Sequence, residues 1–236
     1  MDIKDGKFRH ELKYLCPTAQ QYVLQSRIGG LLLPDKHADQ NGCYNIRSLY
    51  FDDCDNSCYF DNQSGAPVKE KFRLRIYGAS SNRINLEIKR NIYSKTQKLS
   101  CVVTPEQCRA LIDGTELDER SCHPVLRQLL LKRKTHLLHP VVIVSYDRTP
   151  YVYSDGNVRV TFDNNICASG EIGGFLIESI PLTPVMPVGV DILEVKYDEF
   201  IPDFIAHTLE VNRLPRTAFS KYYYCRKALM GGTISL

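Results

Sequence analysis

Between residues 68 and 77 the chain reads Val-Lys-Glu-Lys-Phe-Arg-Leu-Arg-Ile-Tyr, with Lys69, Lys71, Arg73, Arg75 and Tyr77 at every second position. Period-two alternation is the signature of a β-strand, whose successive side chains point to opposite faces. One face of this strand therefore carries four like charges, while Val68, Phe72, Leu74 and Ile76 occupy the other. Cations at that spacing repel one another, so any fold of this chain must bring counter-charge to them.

The same alternation recurs along the chain. Arg9, Glu11 and Lys13 alternate with His10, Leu12 and Tyr14, and Ser48, Tyr50 and Asp52 with Leu49 and Phe51. Glu87 and Lys89 alternate with Leu86 and Ile88, and Tyr146 and Arg148 follow the apolar run Val141 to Val144. Arg159, Thr161 and Asp163 alternate with Val158, Val160 and Phe162, and Glu194 and Lys196 with Leu193, Val195 and Tyr197. Helices are expected from Thr18, read as a capping residue, to about Gly29; from the capping box Thr104-Pro105-Glu106-Gln107 to Gly114; and over His123 to His139, Pro202 to Leu214 and Ser220 to Leu229. No repeat or linker divides the chain, so residues 1–236 are expected to form one α+β domain.

The charged faces fit two arrangements. In one they are the solvated side of an antiparallel sheet. A solvated strand, however, has no reason to prefer Lys and Arg over Thr, Ser or Gln at aligned central positions, and the pattern repeats in about seven strands. The expected fold is accordingly a closed, mostly antiparallel, eight-stranded β-barrel, a tunnel with a charged interior, with its apolar side chains outward under a layer of helices.

Confined cations are costly unless anions accompany them. Arginine's planar fork matches phosphate oxygens in pairs, and lysine adds compact charge, so a linear polyanion such as a nucleoside triphosphate or polyphosphate fits best. The interleaved carboxylates Glu11, Glu87 and Glu194, with Asp52 and Asp163 as outer candidates, fit salt-bridge partners for the basic heads. Together they also form an oxygen-rich patch suited to Mg²⁺ or Mn²⁺, ions usually held by one or two carboxylates plus substrate phosphates. Glu194 is the first candidate metal ligand and Glu11 the second.

Composition narrows the partners. A net charge of +3 is too small to draw nucleic acid or a membrane by long-range attraction, and the aromatics fall mostly on the apolar faces, away from positions where they would stack on bases. The opening MDIKDGKFRHELKY has no apolar stretch of a secretory signal, and no run approaches the roughly 18 apolar residues of a membrane span, so a cytoplasmic protein is expected. The nine cysteines form no paired framework and are expected to be reduced. Cys54 and Cys58 could share one face of a short helix, but they lack the second pair or nearby histidine that a zinc site needs.

Eight short stretches, in order, resemble the VTC-type polyphosphate polymerase domains of the triphosphate tunnel (CYTH-like) superfamily. They are Phe8-Arg-His-Glu-Leu-Lys-Tyr14, Ser48-Leu-Tyr-Phe-Asp52, Lys71-Phe-Arg-Leu-Arg-Ile-Tyr77, Leu86-Glu-Ile-Lys89, Tyr146-Asp-Arg148, Arg159-Val-Thr-Phe-Asp163, Leu193-Glu-Val-Lys196 and Ser220-Lys221. The resemblance implies that Lys13, Arg73, Arg75, Lys89, Arg148, Arg159 and Lys221 contact phosphates with Tyr146 beside them, that Lys98, Lys196 and Ser220 add further contacts, and that Glu194 holds the metal. Lys13, Arg73, Arg75, Arg148 and Arg159 would carry catalysis. Lys221 falls on an expected helix, where strand periodicity does not find it. The implied reaction passes the γ-phosphoryl group of ATP to inorganic polyphosphate, and a membrane partner would have to be a separate chain. The hydrolase branch of the superfamily opens with two alternate glutamates before the lysine; here Arg9 takes the first place, which favours the polymerase branch. A metal-dependent triphosphatase, or a non-catalytic module binding polyphosphate or inositol phosphates, remains as the alternative.

Overall fold

A computed structural model describes residues 9–78, 80–93, 95–209, 213–232 and 234. Each alternating segment is a strand: β1 His10–Pro17, β2 Leu33–Pro34, β3 Tyr44–Asp52, β4 Val68–Tyr77, β5 Ile84–Ile92, β6 Lys95–Val103, β7 His139–Tyr153, β8 Val158–Ser169, β9 Thr183–Pro184 and β10 Val190–Tyr197. The helices are α1 Thr18–Ile28, α2 Ser57–Gln63, α3 Pro105–Asp113, α4 Pro124–His136, α5 Asp203–Thr208 and α6 Lys221–Leu229. The strands make one antiparallel sheet in the order β1-β10-β8-β7-β3-β4-β5-β6, with short β2 on β7 and β9 on β8.

This sheet is not the expected closed eight-stranded barrel. It has ten strands, and among the described residues its two ends, β1 and β6, meet at a single bridge between Arg9 and Thr96, with N···O distances of 3.2 and 3.3 Å, and not along a ladder. The reason lies in the register. An antiparallel ladder through that bridge would pair most of β6 with positions before Arg9, which lie outside the described residues, whereas β1 runs the other way, past the start of β6. Side chains span the seam instead, chiefly Glu11 of β1 with Lys89 of β5.

The expected layer of outer helices is also only partly present. α3 and α4 cover the apolar face of β3 to β6, and α1 and α5 cover β1, β8 and β10. α6 packs on the opposite, charged face of the sheet, against Ile46, Val144, Ile166, Ala168 and Ile192. Those inward apolar residues on β3, β7, β8 and β10 make a floor on which Phe219, Tyr222 and Cys225 bury. β3 supplies no cation to this face. Its Arg47 points outward, donating to the carbonyls of Phe175, Ile177 and Glu178, and thereby ties down the loop before β9.

Local signals explain most helix ends. Thr104 accepts from the Gln107 amide and the Gln107 side chain answers, the expected capping box, and α3 stops at Gly114 with φ 81°. Thr18 is not a cap: Pro17 precedes the helix, and the Thr18 hydroxyl donates to Asp191 at 2.8 Å. The helix expected over Pro202 to Leu214 ends at Thr208; residues 210–212 lie outside the described set. Cys54 lies ahead of α2 and Cys58 within it, and among the described residues no three His, Cys, Asp or Glu side chains gather to hold a metal. Nor is any described helix long and apolar enough to cross a membrane. Phe219 is 1% exposed and stacks on Tyr224 at 4.5 Å, so Phe219→Ala should cost about 3–5 kcal/mol in urea unfolding by opening a hole under α6.

Candidate functional site

The inner face of the sheet and the N-terminal end of α6 enclose a cavity of about 980 Å³. Every candidate named above lines it: Lys13, Arg73, Arg75, Lys89, Lys98, Tyr146, Arg148, Arg159, Lys196, Ser220 and Lys221, with Glu11 and Glu194 the only carboxylates among the lining residues described. Period two on β4 delivers Lys69, Lys71, Arg73 and Arg75 to one side. β1, β5, β6, β7, β8 and β10 bring one or two cations each, and α6 adds Lys221.

Counter-charge reaches this wall as carboxylates shared between cations. Glu87, 3% exposed, takes Arg73 Nε at 2.8 Å and Arg73 Nη2 at 2.6 Å, with Lys98 at 3.2 Å and Arg75 at 3.6 Å. Glu11 takes Lys89 at 2.9 Å and Lys13 at 3.2 Å, with Lys196 at 4.0 Å. Asp163, fully buried, binds Arg148 through two bonds of 2.6 and 2.7 Å and Lys221 at 2.6 Å. Glu194 is paired with Lys196. Arg159 instead reaches Asp35 and the Tyr44 hydroxyl, both at 2.7 Å.

These pairings set the protonation states. Burial opposes ionisation of Glu87, but Arg75 and Arg73 outweigh it, and its carboxyl lies well below the usual range. Glu11 is lowered by Lys89 and Lys196, Asp163 by Arg148 and Lys221, and Glu194 by Lys196 and Arg148, in each case against burial. The four are therefore anionic near neutrality. Lys71 behaves differently: burial, then Lys89 and Lys13, push its ammonium down to about 7.

Some cavity atoms have no hydrogen-bond partner. Arg75 Nε, Arg159 Nε and Glu194 Oε1 are buried without one, the last although Lys196 is close. Buried donors of this kind fit a wall that completes its hydrogen bonds with a ligand.

Aromatic rings line the cavity as well, among them Tyr50, Tyr77 and Tyr146, which share the alternating face of the charges. The Tyr50 hydroxyl bonds Arg73 at 2.6 Å, and Tyr146 lies under both Arg148, 5.3 Å from its centroid, and Lys221, at 4.8 Å. Rings and hydroxyls here orient cations.

Of the five candidate carboxylates, three are spent on structure. Asp52 accepts from the amides of Cys58 and Tyr59 and from the Tyr222 hydroxyl, fastening α2 to α6, while Glu87 and Asp163 are occupied by arginine. Glu11 and Glu194 are held by lysines, not by arginine forks, and they are the two that line the cavity. They are close enough for each to influence the other, and two carboxylates suffice for Mg²⁺ or Mn²⁺ only when substrate phosphates complete the shell. Ser220 both caps α6, accepting from the Tyr223 amide at 3.3 Å, and receives Lys71 at 3.1 Å. Lys71 and Asn62 are cavity residues that the site reading of the sequence left out; the same-face run already contained Lys71, but Asn62 sits on α2, where no strand periodicity points.

The pKa directions fix how stability should depend on pH. The four carboxylates titrate lower folded than unfolded, so the unfolded chain takes up protons first, and stability should fall as pH drops below about 5. Lys71 is lowered to about 7 against ~10.4 unfolded, so from about pH 6.5 to 7.5, below the range where unfolded thiols (~8.5) ionise, the unfolded chain holds the extra proton and stability should rise. Thermal melts of the ligand-free protein from about pH 4 to 7.5 check both signs.

A family model described as the VTC domain matches residues 8–230. No curated protein matches the chain. Among solved structures, a Hippeastrum protein provisionally named an adenylyl cyclase and described as having a dominant triphosphatase activity is 11% identical, with 97% of each chain covered and a TM-score of 0.57. A Bacillus halodurans protein, provisionally named an adenylate cyclase, is 12% identical over 88% of this chain and 89% of its own, with a TM-score of 0.49. At 11% identity the Hippeastrum structure speaks to fold alone, and it shares this arrangement from end to end. With the family model running from the first charged strand through the last helix, the chain belongs to the family of VTC domains.

Proposed function

We propose that this chain is a polyphosphate polymerase that transfers the γ-phosphoryl group of ATP to the end of an inorganic polyphosphate chain. The observation that carries the reading is the cavity wall itself, where cations from seven strands and a helix face two lining carboxylates, and buried arginine N–H groups lack partners. A single carboxylate ligand does not need so many cations; a chain of phosphates does. The resemblance to polymerase domains supplies the reaction.

An oxygen of the acceptor's terminal phosphate would attack the γ-phosphorus as the bond to the β–γ bridging oxygen breaks, releasing ADP. Such transfers pass through a loose transition state with charge on the peripheral oxygens, so the protein's task is positioning and electrostatic stabilisation, and no side-chain nucleophile is required. Arg73, Arg75, Arg148 and Arg159 would clamp the reacting phosphates, and Lys13, Lys89, Lys98, Lys196 and Lys221 would hold their neighbours in line. Asp163 holds Arg148 and Lys221 over Tyr146 and keeps both protonated, so their charge does not depend on substrate. A Mg²⁺ or Mn²⁺ ion on Glu194 and Glu11 would offset phosphate charge when bound.

Arg9 favours synthesis over hydrolysis. Its side chain pairs with Asp198 at 2.9 Å, so the place of the hydrolase branch's first glutamate brings a cation, and no third carboxylate joins Glu11 and Glu194 in the described lining. The test is to incubate the purified protein with ATP and Mn²⁺ and resolve the products. ADP with long polyphosphate is expected; ADP with free phosphate would make the chain a triphosphatase, and unchanged ATP would reduce it to a binding module. Arg75→Ala should lower turnover by about 10²-fold or more without unfolding, since Glu87 keeps Arg73 and Lys98; near-normal turnover would remove Arg75 from the site.

A further inference from the structure

Lys71 is the cavity lysine whose protein partners compensate its charge least. Its Nζ donates to Asn62 Oδ1 at 2.9 Å and Ser220 Oγ at 3.1 Å, and it stands 5.2 Å from the centre of the Tyr222 ring. Both hydrogen-bond partners are neutral. Among the described residues no carboxylate reaches it, whereas Arg73, Lys89, Lys13 and Lys221 each have one. The charges that do face it are positive: Lys89 from β5, Lys13 from β1 and Lys69 from its own strand, with the neutral Cys58 thiol facing it from α2.

A half-buried cation with only neutral partners is disfavoured, and an apolar side chain of the same length would serve the packing as well. A bound anion would supply the partner it lacks. An ammonium has three donors, and Asn62 and Ser220 use two, leaving one to point into the cavity. Along β4, Lys71 lies two residues from Arg73 and four from Arg75, about 7 and 13 Å at ~3.3 Å per residue, so it continues the line of the arginines toward α2, whose Asn62 it bonds.

We propose that Lys71, braced by Asn62 and Ser220, binds a phosphate of the acceptor polyphosphate chain, at the part of the cavity next to α2 and the start of α6. This rests on the polyphosphate reading of the site and adds where the acceptor lies: ATP on the arginines, the growing chain on Lys71. The lysine's lowered proton affinity supports the placement, because a bound phosphate supplies the counter-charge that its protein neighbours do not.

The test compares wild type with Lys71→Met, a side chain of similar length without charge, in the full chain. Three quantities are measured: thermal stability without ligand, affinity for inorganic polyphosphate, and affinity for ATP. The variant should melt no lower than wild type, bind polyphosphate about tenfold or more weakly, and bind ATP within about twofold of wild type. Unchanged polyphosphate affinity would overturn the assignment of Lys71 alone. So would an equal loss for ATP and polyphosphate, or a lower melting temperature, each of which marks a general structural role. Failure of the wild type itself to bind polyphosphate would overturn both this placement and the function it rests on.

Discussion

Shared carboxylates hold this structure's inner wall together. Glu87 serves Arg73, Arg75 and Lys98; Glu11 serves Lys13, Lys89 and Lys196; Asp163 serves Arg148 and Lys221. Each draws cations from neighbouring strands to one point, and Glu11 does so across the seam between the two ends of the sheet. The sheet can therefore curl around a charged interior without the hydrogen-bonded ladder that would close it. Because each anion is divided among several cations, the wall keeps a positive excess that water alone satisfies poorly, and that excess makes a polyanionic ligand part of the structure's logic.

The second determinant is where apolar residues interrupt the charged face. Val142, Val144, Ile166, Ala168 and Ile192 give α6 a bed on the inner side, and the helix carries Lys221 and Ser220 to the cavity. Asp52 completes the arrangement by binding two α2 amides and the Tyr222 hydroxyl. A carboxylate that reads from the sequence as a metal candidate is thus a fastener between two helices, and this concentrates any metal-binding capacity on Glu194 and Glu11.

Much of this was legible in advance, for physical reasons that also mark the limit. Side-chain alternation has a fixed period, so the strands, and the face carrying Arg73, Arg75, Glu87, Arg148 and Glu194, follow from spacing alone. Closure depends on the register between β1 and β6, the two ends of the path, which pairing geometry sets and composition does not, and there the barrel expectation failed. The inner position of α6 was hidden because the apolar residues beneath it belong to the same alternating face as the charges. Lys71 was visible as a member of a four-cation run, but its isolation from carboxylates is a property of three-dimensional neighbours. The capping box of α3 was readable to the residue, being local; the cap expected at Thr18 does not form, because its hydroxyl donates to Asp191, distant in sequence.

The account stands on the claim that the inner wall is built for a chain of phosphates. Its most direct measurement is the melting temperature of the protein titrated with inorganic tripolyphosphate, against sodium chloride and sulfate at matched ionic strength. Ligand at about a hundred times its dissociation constant adds ~2.7 kcal/mol, so a rise of roughly 5–10 °C beyond the salt controls is predicted. A shift no larger than that of the salts would show that the cations do not form a phosphate site, and would contradict the account.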